Sequence, residues 1–250
     1  MSSFEGKVVI ITGGGAGIGL AAAKLFASKG ARVVITGRRA NVLQEITSAN
    51  PNILGLVADA SDPDAASKTV AAAIDTWGRL DVLINNAGGG AIQPLGAVDA
   101  KTISEVYSVN IVGPFLLTAA AVPHLVKTKG AVVNMSSTFG SKVASGLSLY
   151  GSSKAAIEYL TRAWAIELAP FGIRVNAIAP GPVETDFLRE RMRLSDEEIK
   201  AVKDQEIQKI PLGRRGDPSD VAPWMLALAD PATTWVTGQI IAVDGGLINA

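Results

Sequence analysis

The sequence predicts an α/β fold, a doubly wound parallel sheet of about seven strands with helices on both faces. Three observations predict it. Short continuous apolar runs rich in β-branched residues recur along the chain, as strands buried on both faces require. Helical stretches alternate with these runs, and parallel strands need such crossovers. No repeat, low-complexity tract or linker interrupts the 250 residues, so a single domain over 1–250 is expected.

Residues 7–12 (KVVIIT) make the first strand and run straight into Gly13, Gly14, Gly15, Ala16, Gly17, Ile18 and Gly19. A helical pattern follows over 20–29. Strand, glycine-rich turn and helix in that order offer free backbone N–H groups and a positive dipole end to a pyrophosphate, with no side chain blocking approach. The spacing Gly13, Gly17, Gly19 lacks an unbroken G-x-G-x-x-G, so the nucleotide reading rests on the strand before and the helix after.

The second strand, 32–36 (RVVIT), ends at Gly37, Arg38 and Arg39, and no Asp or Glu occupies 36–40. An acidic residue there takes a ribose 2′-OH, whereas arginine accommodates a 2′-phosphate. NADP(H) is therefore expected over NAD(H), with Arg38 the stronger candidate because it comes first after the turn. The third strand, 53–58, ends at Asp59, placed to accept from an adenine amino group. Asp62 and Pro63 read as the N-cap and first residue of a helix reaching Trp77.

The fourth strand, 80–84, leads into Asn85, Asn86, Ala87, Gly88, Gly89 and Gly90, small enough to let a cofactor approach and polar enough to tie strands together. A long helical region over 101–127 carries Asn110 near its middle and Gly113-Pro114 just after. Proline removes one helical bond and kinks the chain, leaving a carbonyl near Asn110 free to hold water. The fifth strand, 130–135, runs into Ser136 and Ser137.

In the stretch 149–157 (LYGSSKAAI), a helix brings Tyr150 and Lys154 onto one face, one turn apart. A phenol of pKa about 10 is a poor base at pH 7, and bringing it near neutrality takes about 4 kcal/mol of preferential phenolate stabilisation. A neighbouring cation in a poorly solvated cleft supplies most of this, so the pair suits proton donation to a carbonyl or acceptance from an alcohol.

The sixth strand, 174–178, leads into Pro180, Gly181, Pro182, Val183, Glu184 and Thr185. The polar segment 188–209, with Ser195 and Glu198 as a capping box, reads either as part of a lid at about 184–211 over a pocket or as a solvated structural helix. Asp217-Pro218 starts a further helix, and 237–243 closes the chain with a strand ended by Asp244, Gly245 and Gly246.

The composition is that of a globular chain, 48% hydrophobic and 18% charged, and Lys plus Arg balance Asp plus Glu at 23 each. No net field draws it to nucleic acid or an anionic membrane. Without cysteine there are no disulfides, thiolate metal sites or cysteine nucleophiles, and the single His124 builds no metal cluster, so no metal is expected. No leader pattern and no run of about 18 apolar residues stands out, giving the expectation of a cytoplasmic protein away from membranes.

Thr12-Gly13-x-x-x-Gly17-x-Gly19, Asp59, Asn85-Asn86-Ala87-Gly88, Asn110, Ser137, Tyr150-x-x-x-Lys154, Pro180-Gly181 with Thr185, and Val243-Asp244-Gly245-Gly246 together resemble the short-chain dehydrogenase/reductase family over nearly the whole chain. The resemblance implies a Rossmann-type fold and an NADP(H)-dependent oxidoreductase acting on a carbonyl or secondary alcohol, a ketone or 3-oxoacyl compound. It implies that Tyr150 is the acid/base, Ser137 holds the substrate oxygen, Lys154 acidifies Tyr150 and binds the nicotinamide ribose, and Asn110 holds a proton-relaying water. It assigns cofactor contacts to Gly13, Gly15, Gly17, Ile18, Gly19, Arg38, Arg39, Asp59, Ala60, Asn86, Ala87, Gly88, Pro180, Gly181, Val183 and Thr185. A homotetramer is implied as well.

One position departs: relatives preferring NADP(H) often carry a basic residue where this chain has Ala16. The cofactor expectation therefore rests on Arg38 and Arg39, with an NAD(H)-dependent alcohol or sugar dehydrogenase as the alternative. A nucleotide-sugar epimerase usually needs an extra substrate domain, for which the chain has no room, and a non-catalytic NADP(H) sensor would lack one of the four catalytic residues.

Overall fold

The computed structural model describes residues 4–250. Strands β1 (Val8–Ile11), β2 (Arg32–Gly37), β3 (Ile53–Val57), β4 (Val82–Asn85), β5 (Ala131–Met135), β6 (Arg174–Pro180) and β7 (Ile240–Val243) form one sheet in the order β3-β2-β1-β4-β5-β6-β7. Every pairing is parallel. This is the doubly wound sheet that the alternation of runs and helices predicts.

The apolar runs are continuous because both sheet faces are covered. Val9, Ile11, Val33 and Ile35 pack under α1 (Gly17–Ser28), α2 (Ala40–Ala49) and α9 (Pro218–Ala229), against Phe26, Leu43 and Met225. Val8, Ile10 and Val34 pack on the opposite layer, formed by α3 (Ala65–Trp77), α5 (Gly113–Thr128) and α6 (Ser148–Leu168), against Val70, Leu117 and Ile157. Each fully buried aliphatic side chain contributes about 2 kcal/mol. With two apolar faces, however, burial alone does not choose a register. Polar groups at the strand ends do: Asp81 accepts from Val8 N at 3.0 Å and Lys7 Nζ at 3.2 Å, while Thr12 N donates to Ile84 O and Gly14 N to Thr36 O, both at 3.1 Å.

The closing strand begins at Ile240 and not at 237, and three further elements shift for visible reasons. α1 begins at Gly17, inside the glycine turn, with extended Ala16 as N-cap, because residues without side chains let the helix close directly on the strand end. α3 begins at Ala65 with Asp64 as N-cap; Asp62 Oδ1 accepts from Asp64 N and Pro63 lies in that turn, so the Asp-Pro pair precedes the helix. The long helix is divided into α4 (Ala100–Tyr107) and α5 by a π-helical turn at Ser108–Val112. Pro114 has no N–H for the carbonyl four residues back, and Gly113 N donates instead to Ser108 O.

The span Ala100–Thr128 is long and apolar enough, by length and composition, to cross a membrane, contrary to the sequence expectation. Its buried side, Leu117, Ala121 and Leu125, packs on the sheet.

Candidate active site

The chain leaves β1 towards β2 and β3 and then crosses back to β4, so the carboxyl ends of β1 and β4 part to form the crevice where ligands bind in open α/β sheets. The two ends are stitched together. Thr12 Oγ1 accepts from Asn86 N at 3.0 Å and Ala87 N at 2.9 Å, and Asn86 Nδ2 donates to Thr12 O at 2.8 Å and Gly13 O at 3.3 Å. Gly13 has φ 66°, the left-handed region, and a Cβ on Gly19 would lie 2.5 Å from Gly13 O and Asn86 Nδ2. No side chain caps α1 and no acid sits in its first turn. Its opening N–H groups therefore face an anion-attracting turn. Gly15 lies half-buried in this turn, whereas the Ile18 side chain packs against the core.

From the turn a cleft of about 630 Å³ runs outward past Arg38, Asp59, Ala60 and Ala87–Gly90. Arg38 lies 3.9 Å from Asp59. Burial works to raise the Asp59 carboxyl, but hydrogen bonds from Ser61 N (2.9 Å) and Oγ (2.7 Å), with the Arg38 and Arg191 cations, outweigh it and hold the group below the usual carboxylate range. Arg39 turns away to Glu190 at 2.8 Å. A Cβ on Gly113 would meet Ala60 O at 2.0 Å, so the bare glycine lets the loop after β3 settle on the start of α5.

At the inner end, Ser137, Tyr150, Lys154 and Asn110 meet, with exposures of 7%, 8%, 4% and 2%. α6 buries Tyr150, Ser153, Lys154, Ile157 and Thr161 along one face at helical spacing. Buried amides fix that helix and α5 to the sheet: Asn85 Nδ2 donates to Asn134 Oδ1 (2.8 Å) and Thr118 Oγ1 (3.0 Å), and Asn134 Nδ2 to Thr161 Oγ1 (2.9 Å). Ser137 and Tyr150 share a side-chain hydrogen bond. Lys154 Nζ donates to Met135 O at 2.9 Å and stands 5.7 Å from the Tyr150 ring centre.

Burial pushes the Tyr150 phenol up to about 12, the Ser137 hydrogen bond opposing it, and lowers Lys154 to about 8. The acidified phenol expected from the sequence is thus not the resting state of this site. Asn110 spends its side chain on Gly89 N and O, both at 2.9 Å, and Ser153 Oγ at 2.8 Å, and Pro114, four residues on, has no N–H to give its main-chain carbonyl.

The end of β6 closes a third side. Gly181 N donates to Val243 O at 3.0 Å, Val183 bridges Gly216, and a Cβ on Gly17 would touch Thr185 Cγ2 at 3.0 Å, so Thr185 faces the glycine turn. Pro180 is buried within β6. Beyond Thr185, α7 (Phe187–Glu190) and Met192 fold over Tyr150: Leu188 and Met192 are buried with it, Ile92, Phe139 and Phe187 pack around them, and the Phe187 ring lies 6.1 Å from the phenol ring. α8 (Asp196–Lys209) follows, opened by the Ser195–Glu198 capping box read from the sequence. Buried Arg215 roots this segment, contacting Glu184 at 2.8 Å, Glu206 and Val183 O.

Sequence spacing assigned no task to Thr12, Ser153, Arg191 or Arg215. Asp244 also belongs with them: it accepts from Thr138 Oγ1 at 3.0 Å, Gly246 N at 2.9 Å and Ile248 N at 2.8 Å, and so pins the turn after Ser137. A polar residue at a strand's carboxyl end was the available signal for Thr12 and Asp244; the others lack one.

A family model described as Enoyl-(Acyl carrier protein) reductase matches residues 13–248. The 3-oxoacyl-(acyl-carrier-protein) reductase FabG of Thermotoga maritima is 36% identical over 249 residues, covering 98% of this chain and 98% of that protein. A short-chain dehydrogenase/reductase of unknown function from Caenorhabditis elegans, solved with cofactor, aligns at a TM-score of 0.90 and 35% identity, covering 98% of this chain and 96% of that one. The 3-ketoacyl-(acyl-carrier-protein) reductase of Brucella melitensis, complexed with NADH, aligns at 0.89 and 33%, covering 98% and 99%. With fold, crevice and end-to-end likeness in agreement, this chain belongs to the short-chain dehydrogenase/reductase family of oxidoreductases.

Proposed function

We propose that the protein is an NADP(H)-dependent reductase that moves a hydride between nicotinamide and a carbonyl or secondary alcohol. The observation that carries this reading is the burial of Ser137, Tyr150 and Lys154 together beside an uncapped glycine turn at the sheet's switch point. The residues fit a dinucleotide: free N–H groups at α1 for a pyrophosphate, Asp59 for an adenine, and Arg38, without an acid in its own turn, for a 2′-phosphate. When bound, the nicotinamide supplies or takes the hydride.

The chain's own groups handle the proton. Burial keeps Tyr150 protonated, ready to donate to a carbonyl oxygen that Ser137 Oγ also holds. As that proton leaves, the phenolate meets the Lys154 ammonium, which stays mostly protonated at pH 7 with a pKa of about 8. With Lys154 Nζ 5.7 Å from the phenol ring centre, opposite unit charges at roughly that separation gain ~3 kcal/mol at an effective dielectric of about 20, of the same order as what burial costs the phenolate. Water on the Asn110 carbonyl would return the proton through Lys154. In the oxidative direction the same phenolate accepts the alcohol proton.

The apolar cover formed by Leu188, Met192, Phe187 and Ile92 supports a hydrophobic ketone or a 3-oxoacyl compound, in line with the reactions named for the Thermotoga and Brucella relatives. Segment 184–211 would act as the lid. Exposed Phe115 on α5, with Val112 in the π turn before it, and Tyr159 and Ile166 on α6 support a homo-oligomer formed through those helices. The NADH complex of the Brucella relative favours NAD(H) as the second reading, and Arg38 at the cleft wall favours NADP(H).

Absorbance of the reduced nicotinamide, followed over a panel of ketones and 3-oxoacyl thioesters with each cofactor, tests the proposal. Tyr150→Phe should lower kcat about 1,000-fold with cofactor affinity preserved. Equal turnover in the variant would remove Tyr150 from the reaction.

A further inference from the structure

The segment after α7 crosses the mouth of the cofactor cleft and is tied down on both banks. Glu190 pairs with Arg39 at 2.8 Å on the β2 side, and Arg193, with φ 60°, pairs with Glu105 of α4 at 3.3 Å on the other. Arg191, between these anchors, lines the cleft together with Arg38 and Asp59. It is half-buried, and among the described residues it makes no ion pair.

That arrangement is costly as it stands. A guanidinium withdrawn from water needs an anion or a full set of acceptors. Burial, and next the Arg38 charge, lower the Arg191 pKa, with Glu190 and Asp59 opposing. Arg38 and Arg191 thus line the cleft together while one nearby carboxylate, Glu190, is engaged with Arg39 and the other, Asp59, is held by Ser61 and stands at 3.9 Å from Arg38. A dianion between Arg38 and Arg191 resolves the imbalance, and a guanidinium fork matches phosphate oxygens.

We infer that Arg191 reaches from the lid to bind the ribose 2′-phosphate of NADP(H) opposite Arg38, so that cofactor choice is read partly by the lid. This rests on the NADP(H) reading above. The cofactor's pyrophosphate is the other anion within the same cleft, but it is common to NADH and NADPH, which separates the two sources experimentally. Binding through the 2′-phosphate would also hold in place the segment whose Leu188 and Met192 cover Tyr150, linking cofactor identity to the cover of the substrate pocket.

The test is titration of NADPH, NADH, 2′,5′-ADP and 5′-ADP against wild type, R191Q and R191K by calorimetry, with thermal melts to verify folding. R191Q should weaken NADPH and 2′,5′-ADP about tenfold, as expected for loss of one charge-assisted hydrogen bond, and leave NADH and 5′-ADP within about twofold. R191K should recover part of the loss. Equal weakening of NADPH and NADH would assign Arg191 to the pyrophosphate and overturn the inference, as would unchanged NADPH binding. Wild type binding NADPH no more tightly than NADH would instead overturn the NADP(H) preference itself, a failure visible before any variant is made.

Discussion

Replacing Lys154 with methionine should silence the protein and make it more stable. The Lys154 ammonium is 4% exposed, donates to the Met135 carbonyl at 2.9 Å, and among the described residues pairs with no carboxylate. Burial lowers its pKa from 10.5 to about 8. At pH 7 the folded state therefore carries a charge it disfavours by roughly 3 kcal/mol relative to the unfolded chain. Methionine has a similar reach and no charge, and losing the hydrogen bond to the carbonyl returns about 1 kcal/mol. The net gain of ~2 kcal/mol corresponds to a Tm higher by roughly 4–8 °C for a chain of this size.

The sign of the pH dependence follows from the same shift. Between about 8 and 10.5 the unfolded chain holds the Lys154 proton that the folded state has released, so wild-type stability from this group rises with pH through that window. The advantage of Lys154→Met should be greatest at pH 7 and nearly gone by pH 10.5. Thermal melts followed by circular dichroism at both values, with turnover measured at pH 7, check it. A variant less stable than wild type at pH 7, or a gain that does not shrink with pH, refutes the idea that this cation is held at the expense of stability for its work on the Tyr150 phenolate.

Arg38→Asp should lower the ratio of kcat/KM for NADPH over NADH by about 100-fold, because an attracting charge is replaced by a repelling one; an unchanged ratio measured with both cofactors moves phosphate recognition elsewhere. Gly19→Ala should destabilise by about 1–3 kcal/mol and weaken cofactor binding, since its Cβ would lie 2.5 Å from the Gly13 carbonyl. A melt and a cofactor titration matching wild type would show that the turn has slack there.

Much of the fold could be read early because β1, β2, β4 and β5 are covered on both faces and so are written as uninterrupted apolar runs. Tyr150 and Lys154 were legible for an equally local reason: the helical period alone fixes their relation. The start of α3 was misplaced because Asp62 satisfies a turn N–H as readily as a helix N–H. Asn110 and Ser153 meet across 43 positions, and nothing in the chain between them signals it. The resting phenol was misjudged for a related reason, since the groups that dry it, Met192 and Phe187, come from a segment whose polar pattern gives no facing side. Arg191 was hidden in the same way, as one of several alternating charges.

The bond from Thr138 Oγ1 to Asp244 spans 106 positions. During synthesis the turn that carries Ser137 must wait, without its anchor, until residue 244 has cleared the ribosome. Long-range closures of this kind slow folding, so this corner of the reaction centre sets only after the chain has closed over those 106 positions.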